Sequence, residues 1–584
     1  MGLGIHFKIQ TAIRYRTMNS DPTTPNERSH QGSAAVPYWI CGIAAILFLA
    51  SIARFTPNIP SWDDYADLDW ILRLREASGA WLWTGLFEPH NEHRVVVLHL
   101  LTFIFGANFQ LAAVIGAGFS VAAVFVIFQS QLPRIRTFPS TERQSRWIAI
   151  SIALSISLVL YSPKHWEDSY WSATAATVLP GLAFAICSLL LLDRFEKSDG
   201  FGAFFTAIAA ALGSSLCQTN GFLVWPIGAL LIALSPRDST RHVRLIIWLL
   251  FSAATIWVFF FLWPPEALIA KSRSADATRI IAAIPYFIRV VGLGLDGVSG
   301  YLVAGTVLAL AAYSTIRHYK RSLGLFGIML FGLGSVAMLS IARADLPLGT
   351  AGSPRYSLYA ATILLSSTLM VALNTSRRIS GAMLMLALST AYFALGVSVG
   401  VPALVDRAGR VESQIRIVES STGQERYSSL FVPPEQFGRI SENLNRASTL
   451  GIFTLPRRVS VRTMPRLLFS QPVLPAVRYG GAIDGAPVSD RTLSLVGWHM
   501  LPINGSSLVI YISGTPTPQF SSYAILERRD VAKATNSPAL VLSGFEITLQ
   551  FDDAASATNA RATAIITACD GQECWQIPRA AWRS

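Results

Sequence analysis

Two groups of ionisable and aromatic residues lie close together in one polar stretch: Ser61-Trp62-Asp63-Asp64-Tyr65 and Glu88-Pro89-His90-Asn91-Glu92-His93-Arg94. A carboxylate at Asp63 or Asp64 can act as a general base on a hydroxyl. The same residues fit a plainer role. Ser61 to Asp64 resembles a capping box opening a helix over 62–76, and Asp67 and Asp69 continue an acidic first turn. The roles are compatible, because a helix start can also present a catalytic carboxylate. His90, Asn91, Glu92, His93 and Arg94 could bind a divalent metal, a pyrophosphate or a phosphate. Their plainer role is an interfacial belt in which Asn91 caps the next helix. A phosphate on Arg94 is favoured over a metal held by His90, Glu92 and His93, since neighbouring positions do not share a helical face.

Further polar residues sit at the mouths of apolar runs: Lys164-His165-Trp166-Glu167-Asp168, Gln218-Thr219-Asn220-Gly221, Lys271 with Arg273, and Arg343 with Arg355-Tyr356. Singly, each is an ordinary membrane-interface loop. Together they put acids and bases on one side, where Arg343 or Arg355 can pair with an anionic head group in a bidentate way. Arg289, within the apolar stretch 280–295, is a further candidate whose plain role is snorkelling.

The elements that must position these residues are membrane helices. The 584 residues are 52% hydrophobic and only 14% charged, with a mean hydropathy of +0.44. Soluble chains carry roughly 25% charged residues. Windows of about 20 apolar residues place spans at 35–53, 109–130, 147–162, 173–192, 202–217, 221–235, 245–263, 298–316, 322–342, 357–374 and 379–403, about eleven in all. The shorter run 95–106 is expected at the interface or as a re-entrant segment. Residues 1–34 read as a loose, disordered cytosolic tail. Lys and Arg collect in that tail and in 131–146, 193–200, 236–244, 317–321 and 375–378, which assigns these to the cytoplasm. The net charge of +12 then needs no nucleic acid.

An odd number of spans puts the chain beyond 403 outside, in the periplasm of a bacterium. Residues 404–479 mix charge and proline, with amphipathic helices expected near 405–425 and 434–450. From 480 to 584, short alternating strands at 493–498, 508–512, 545–551 and 562–567, separated by glycine turns, suggest a small all-β sandwich. Cys41, Cys187 and Cys217 fall in apolar spans. Cys569 and Cys574 flank Asp570-Gly571 and are either a short disulfide or two free thiols.

This arrangement resembles the GT-C superfamily of integral-membrane glycosyltransferases. The likeness covers roughly 55–375 and rests on Asp63-Asp64 with His90 to Arg94, Trp166 to Trp171, Asn220 to Pro226, and Arg343 with Ser353-Pro354-Arg355-Tyr356. A group of bacterial GT-C-type membrane proteins is nearer still, although it more often has Ser-Arg-Tyr without the proline and Glu-Asn where this chain has Glu167-Asp168. The β part, with Gly497-Trp498 and Gly544-Phe545, is similar to a module attached to several bacterial glycosyltransferases.

The resemblance implies an inverting transferase in the bacterial inner membrane. It would move a sugar from a polyprenyl-phosphate donor to a periplasmic lipid or surface-polysaccharide acceptor. Asp63 or Asp64 would be the base, Asp-Asp standing where the family often has Asp-Glu. Arg94, Arg343, Arg355 and Tyr356 would hold the donor phosphate. His90, Asn91, Glu92, His93, Trp166, Glu167 and Asn220 would line the substrate site, while Trp62, Trp166 and Trp171 would stack on sugar or anchor at the interface. No cofactor is required, and a divalent ion, Mg or Mn, is left open. Two rival readings stand beside this one: a lipid-linked saccharide flippase, and a membrane scaffold whose β domain binds glycan or a partner.

Overall fold

A computed structural model describes residues 26–60, 63–76, 85–90, 93–136, 141–195, 201–236, 240–262, 277–420, 437–453 and 466–468. In the C-terminal part it describes 477–486, 488–489, 491–499, 509–516, 518, 520–526, 531, 534, 544–569 and 574–578. The helices are α1 Asn26–Phe55, α2 Asp64–Glu76, α3 Val96–Phe105, α4 Phe109–Arg136, α5 Glu142–Leu160, α6 Trp166–Tyr170, α7 Ser172–Phe195 and α8 Phe201–Ser215. They continue as α9 Val224–Leu234, α10 Arg241–Trp257, α11 Ala277–Val291, α12 Gly297–His318, α13 Leu323–Ala342, α14 Ser357–Asn374, α15 Arg378–Ser420, α16 Phe437–Thr449 and α17 Ala554–Thr563.

Among the described residues, 9 helices are long and apolar enough to cross a membrane. This is a polytopic helical membrane protein. Two of the expected spans, 202–217 and 221–235, emerge as α8 and α9, which have 15 and 11 residues. At 1.5 Å per residue these are about 23 and 17 Å long, short of a bilayer core of about 30 Å. A buried 3₁₀ turn, Thr219–Leu223, separates them. α3, with 10 residues, reaches only about 15 Å.

Helix α14 is the centre of the bundle. Its whole apolar window is buried, against α12, α13, α15 and α5. It carries Thr362, Ser366 and Thr368 in that interior because each hydroxyl donates to the carbonyl four residues earlier, at 2.7 to 2.8 Å. One end of the bundle is tied by Arg134, which pairs with Asp193 at 2.9 Å and donates to Ser322 Oγ, itself bonded to Asn374.

Helices α4 and α7 pack very closely. A Cβ at Gly116 would lie 2.2 Å from the Ala175 carbonyl oxygen, whereas one at Gly118 would meet nothing within 4 Å.

Polar composition ends the apolar run at two places without ending the helix. α1 starts at Asn26, inside the stretch expected as a loose tail. α15 runs unbroken for 43 residues to Ser420, through Pro402 and past the expected boundary at 404. The amphipathic helix expected near 405–425 is present, and it joins the span without a break.

The C-terminal part forms two five-stranded sheets. The first contains β5 Ala482–Gly485, β6 Val488–Ser489, β7 Thr492–Trp498, β9 Phe520–Leu526 and β10 Gly544–Gln550. The second contains β3 Arg466–Leu468, β4 Val477–Tyr479, β8 Val509–Ser513, β11 Ile565–Cys569 and β12 Cys574–Gln576. Alternate residues of β7 and β10 face one core with Ile510, Ile512 and Ile566. The strand expected over 562–567 begins only at Ile565, because Asp553 caps α17 across the preceding stretch. Cys569 is disulfide-bonded, and Cys574 is its Cα partner across β11 and β12.

The α4–α7 contact yields the first prediction. Gly116→Ala should lower the melting temperature in detergent, by an amount corresponding to about 1–3 kcal/mol of overpacking. Gly118→Ala should be neutral or slightly stabilising. Equal effects of the two would show that the close approach of these helices does not matter to stability.

Candidate functional site

The loop after α1 is fastened to the bundle by its second aspartate. Asp64 opens α2 and is buried. Its Oδ1 accepts hydrogen bonds from Ser172 Oγ at 2.6 Å and from the Ala173 N–H at 2.9 Å. These donors form the first turn of α7, where unpaired N–H groups and the helix dipole favour a carboxylate. α2 begins at Asp64, so Asp63 sits just outside it rather than within a helix from 62. Ser61 and Trp62 lie outside the described residues.

Asp63 differs from its neighbour in access: 45% of its side chain is exposed. His90 Nε2 lies 3.9 Å from Asp63 Oδ1, an ion-pair distance too long for a hydrogen bond. His90 belongs to a two-strand hairpin, β1 Pro89–His90 against β2 His93–Arg94, in which His90 and His93 are paired. The imidazole of His90 holds the Asp63 carboxyl below the usual carboxylate range and outweighs the opposing effect of burial; Arg355 and His93 add to it. Burial alone would push His90 down. The carboxylates of Asp63, Asp67 and Asp64 outweigh it and raise His90 above its ordinary 6.5.

Asp67, one turn into α2, is buried, and neither of its carboxylate oxygens has a hydrogen-bond partner. Burial pushes its carboxyl well above the usual range; Asp64 and Asp63 act in the same direction, and His90 opposes them.

The rest of the hairpin is anchored rather than open. The Thr219 N–H donates to His93 Nδ1 at 3.3 Å, and the Thr219 hydroxyl lies 3.1 Å from the same nitrogen. The Val96 N–H donates to the Leu216 carbonyl. Together these contacts seat the hairpin on the turn between α8 and α9. Arg94 is buried, donates to the carbonyls of Phe87 and Phe259, and stacks 5.0 Å from the Phe259 ring. Phe259 lies in the π-helical segment Val258–Leu262 at the end of α10. On the other side, α16 packs on α2 through Leu444 and Ala447, and Asn443 donates to Asp69 at 3.2 Å.

A second cluster adjoins the first through Arg355. Glu167 Oε2 accepts from Ser353 Oγ at 2.6 Å and from the Arg355 N–H at 3.4 Å, binding α6 to the turn Pro354–Tyr356. The Arg355 guanidinium lies 5.1 Å from the Tyr356 ring and acts through space on Asp63, Glu167 and Asp168. Asp168 is fully buried, and neither carboxylate oxygen has a hydrogen-bond partner.

Asp63, His90, His93, Glu167 and Arg355 therefore come together. Asn220 is near them, donating to Ser335 Oγ at 3.4 Å beside Gln218, which accepts from the Tyr359 hydroxyl. Tyr356 is buried beside Tyr286. Arg343 ends α13 within electrostatic reach of Tyr286. Trp166 is half-buried against the bundle core, with Arg407 over its ring. Asn91, Glu92, Lys271 and Arg273 lie outside the described residues. Among the described residues, no group of three or more His, Cys, Asp or Glu could hold a metal ion.

Sequence reasoning gave Asp67 only a helix-start role and Asp168 only a loop role. Asp168 had a signal as an ionisable residue beside an apolar run, whereas Asp67 had none beyond its place in the acidic first turn. In comparisons with known proteins, no family model and no curated protein matches the chain.

Asp67→Asn tests the buried carboxyl. A group whose pKa is raised on folding contributes stability that is fully present below its unfolded value, near 3.8, and is lost as pH rises. The variant should match wild type near pH 4 and gain in melting temperature relative to it as pH is raised to 8. A relative gain that shrinks with rising pH would contradict a carboxyl whose proton affinity is raised on folding.

Proposed function

We propose that this protein is a membrane glycosyltransferase of GT-C type, moving a sugar from a polyprenyl-phosphate donor to a lipid or surface-polysaccharide acceptor. One observation carries the reading. Asp63 is an accessible, ionised carboxylate beside a histidine and within reach of Arg355, on a loop that Asp64 locks to the helical bundle. The acceptor oxygen attacks the anomeric carbon from the face opposite the phosphate, with inversion. Asp63 takes the acceptor proton, and the polyprenyl phosphate leaves as an anion whose charge Arg355 offsets. Asp64 positions the loop. Arg94 holds the hairpin in place through the Phe87 and Phe259 carbonyls.

The disulfide at Cys569 supports a C-terminal part in an oxidising compartment, the bacterial periplasm in this reading. The chain would then sit in the inner membrane with its N-terminus cytoplasmic.

Asp168 favours a second reading. A buried, unpartnered carboxylate inside a candidate span is a feature of transporters, so a lipid-linked saccharide flippase remains the rival.

The test is a transfer assay with purified protein in nanodiscs, a panel of radiolabelled polyprenyl-phosphate sugars and a membrane lipid extract. Asp63→Asn should lower transfer by about 10²-fold or more. Asp64→Asn keeps an acceptor oxygen for Ser172 and Ala173 and should retain most activity, whereas Asp64→Ala should melt earlier. No transfer with any donor, together with protein-dependent movement of labelled lipid across vesicles, would replace the enzyme by a flippase.

A further inference from the structure

Asp63 has a low proton affinity, and the group nearest its carboxylate is shielded from solvent. His90 Nε2 is buried without a hydrogen-bond partner, 3.9 Å from Asp63 Oδ1. Asp67, buried and likewise unpartnered, is the strongest through-space influence on the same imidazole. The exposed carboxylate and the shielded imidazole thus stand side by side, and a second, buried carboxyl acts on the imidazole through space.

We propose that His90 is a positioning residue that stores the proton Asp63 takes up, and that Asp67 stabilises the resulting imidazolium. This deepens the transferase reading and rests on it for the origin of the proton. In the balanced step, the acceptor O–H bond breaks as the bond from oxygen to the anomeric carbon forms. The bond from that carbon to the phosphate oxygen breaks, and its electron pair leaves on the phosphate. The proton passes to a carboxylate oxygen of Asp63 and then, once the 3.9 Å separation closes to hydrogen-bond length, to the lone pair of His90 Nε2. Asp63 is regenerated as a carboxylate, and the proton later returns to water through it. The order is the reverse of a Ser-His-Asp triad: here the carboxylate meets the substrate and the imidazole lies behind it.

The groups facing His90 fit this storage. Asp63 lies at the start of α2, and Asp64 and Asp67 lie within it. His93 faces it across the hairpin, and His99 of α3 feels its charge. Arg355 acts on Asp63 through space. Glu88, next to the hairpin, is paired with Arg73 at 2.8 Å and so contributes little net charge. The carboxyl groups of Asp63, Asp67 and Asp64 all act to raise the proton affinity of the imidazole.

The experiment uses the full chain in nanodiscs with ¹⁵N-labelled histidine. The His90 ring signals are assigned by their loss in His90→Gln and followed from pH 5 to 9. His90 should titrate above 6.5 in wild type and at lower pH in Asp63→Asn and in Asp67→Asn, each variant first checked by its melting curve. Titration at or below 6.5 in wild type, or no movement in either variant, overturns the proposal. In the transfer assay, the wild-type rate should rise with pH through the His90 titration, because only the neutral imidazole accepts a proton. Asp67→Asn should shift that limb to lower pH, and His90→Gln should remove it and lower turnover about 10²-fold with little change in KM. An unchanged limb in His90→Gln also overturns the proposal. If no donor is transferred, the transferase reading falls on its own, and the titration alone decides whether His90 is the proton store.

Discussion

The site depends on one buried carboxylate at a helix start. Asp64 gives up water to accept two hydrogen bonds from the first turn of α7. Burying a charge without partners would be very costly, but charge-assisted bonds to Ser172 Oγ and the Ala173 N–H replace its hydration. The helix gains a partner for one orphan N–H, that of Ala173, in the same contact. The result is a fixed junction between a polar loop and an apolar bundle, which apolar packing alone would not orient so closely. Asp63 inherits its placement from that junction, being the last residue before the anchored one.

The wider bundle obeys the same accounting of polar groups. Hydroxyls inside α14 donate back to their own helix, Arg134 is matched by Asp193, and Arg94 is matched by two carbonyls. Asp67 and Asp168 are exceptions on acidic side chains, with all four of their carboxylate oxygens lacking a hydrogen-bond partner. Both lie next to the groups gathered around Asp63 and Arg355. A fold that satisfies so many of its buried polar groups elsewhere and leaves two carboxyls unsatisfied in one neighbourhood marks that neighbourhood as the place where protons or ligands act.

Much of this was legible in the chain. Apolar windows located the long helices because a bilayer demands length and hydropathy, both of which are properties of composition. The alternation around Leu493, Leu495, Ile547 and Leu549 revealed the strands by the same kind of local rule. The separate roles of Asp63 and Asp64 were not legible. They depend on Ser172 and Ala173, more than a hundred residues away. Arg94 looked free for phosphate because its partners are backbone carbonyls, which leave no trace in residue type. The helix near 405–425 was legible, but its continuity with the preceding span was not: polarity reports the edge of the bilayer, and a helix does not have to stop there.

The acidic residues of α2 make the physical point most clearly. Asp63, just before α2, and Asp67, within it, are four positions apart and have the same chemistry in water. The first stands at the rim beside an imidazole and within reach of a guanidinium, and its carboxyl is held down. The second is enclosed and unpartnered, and its carboxyl is held up. Two identical groups driven in opposite directions give one loop a carboxyl that ionises readily and one that resists ionisation, and such divergence is how a site divides acid from base. His90 feels both groups, and its own rise above 6.5 follows from standing between them. The separation of roles is therefore a product of burial and of the Asp64 anchor, which sets how deep each carboxyl lies.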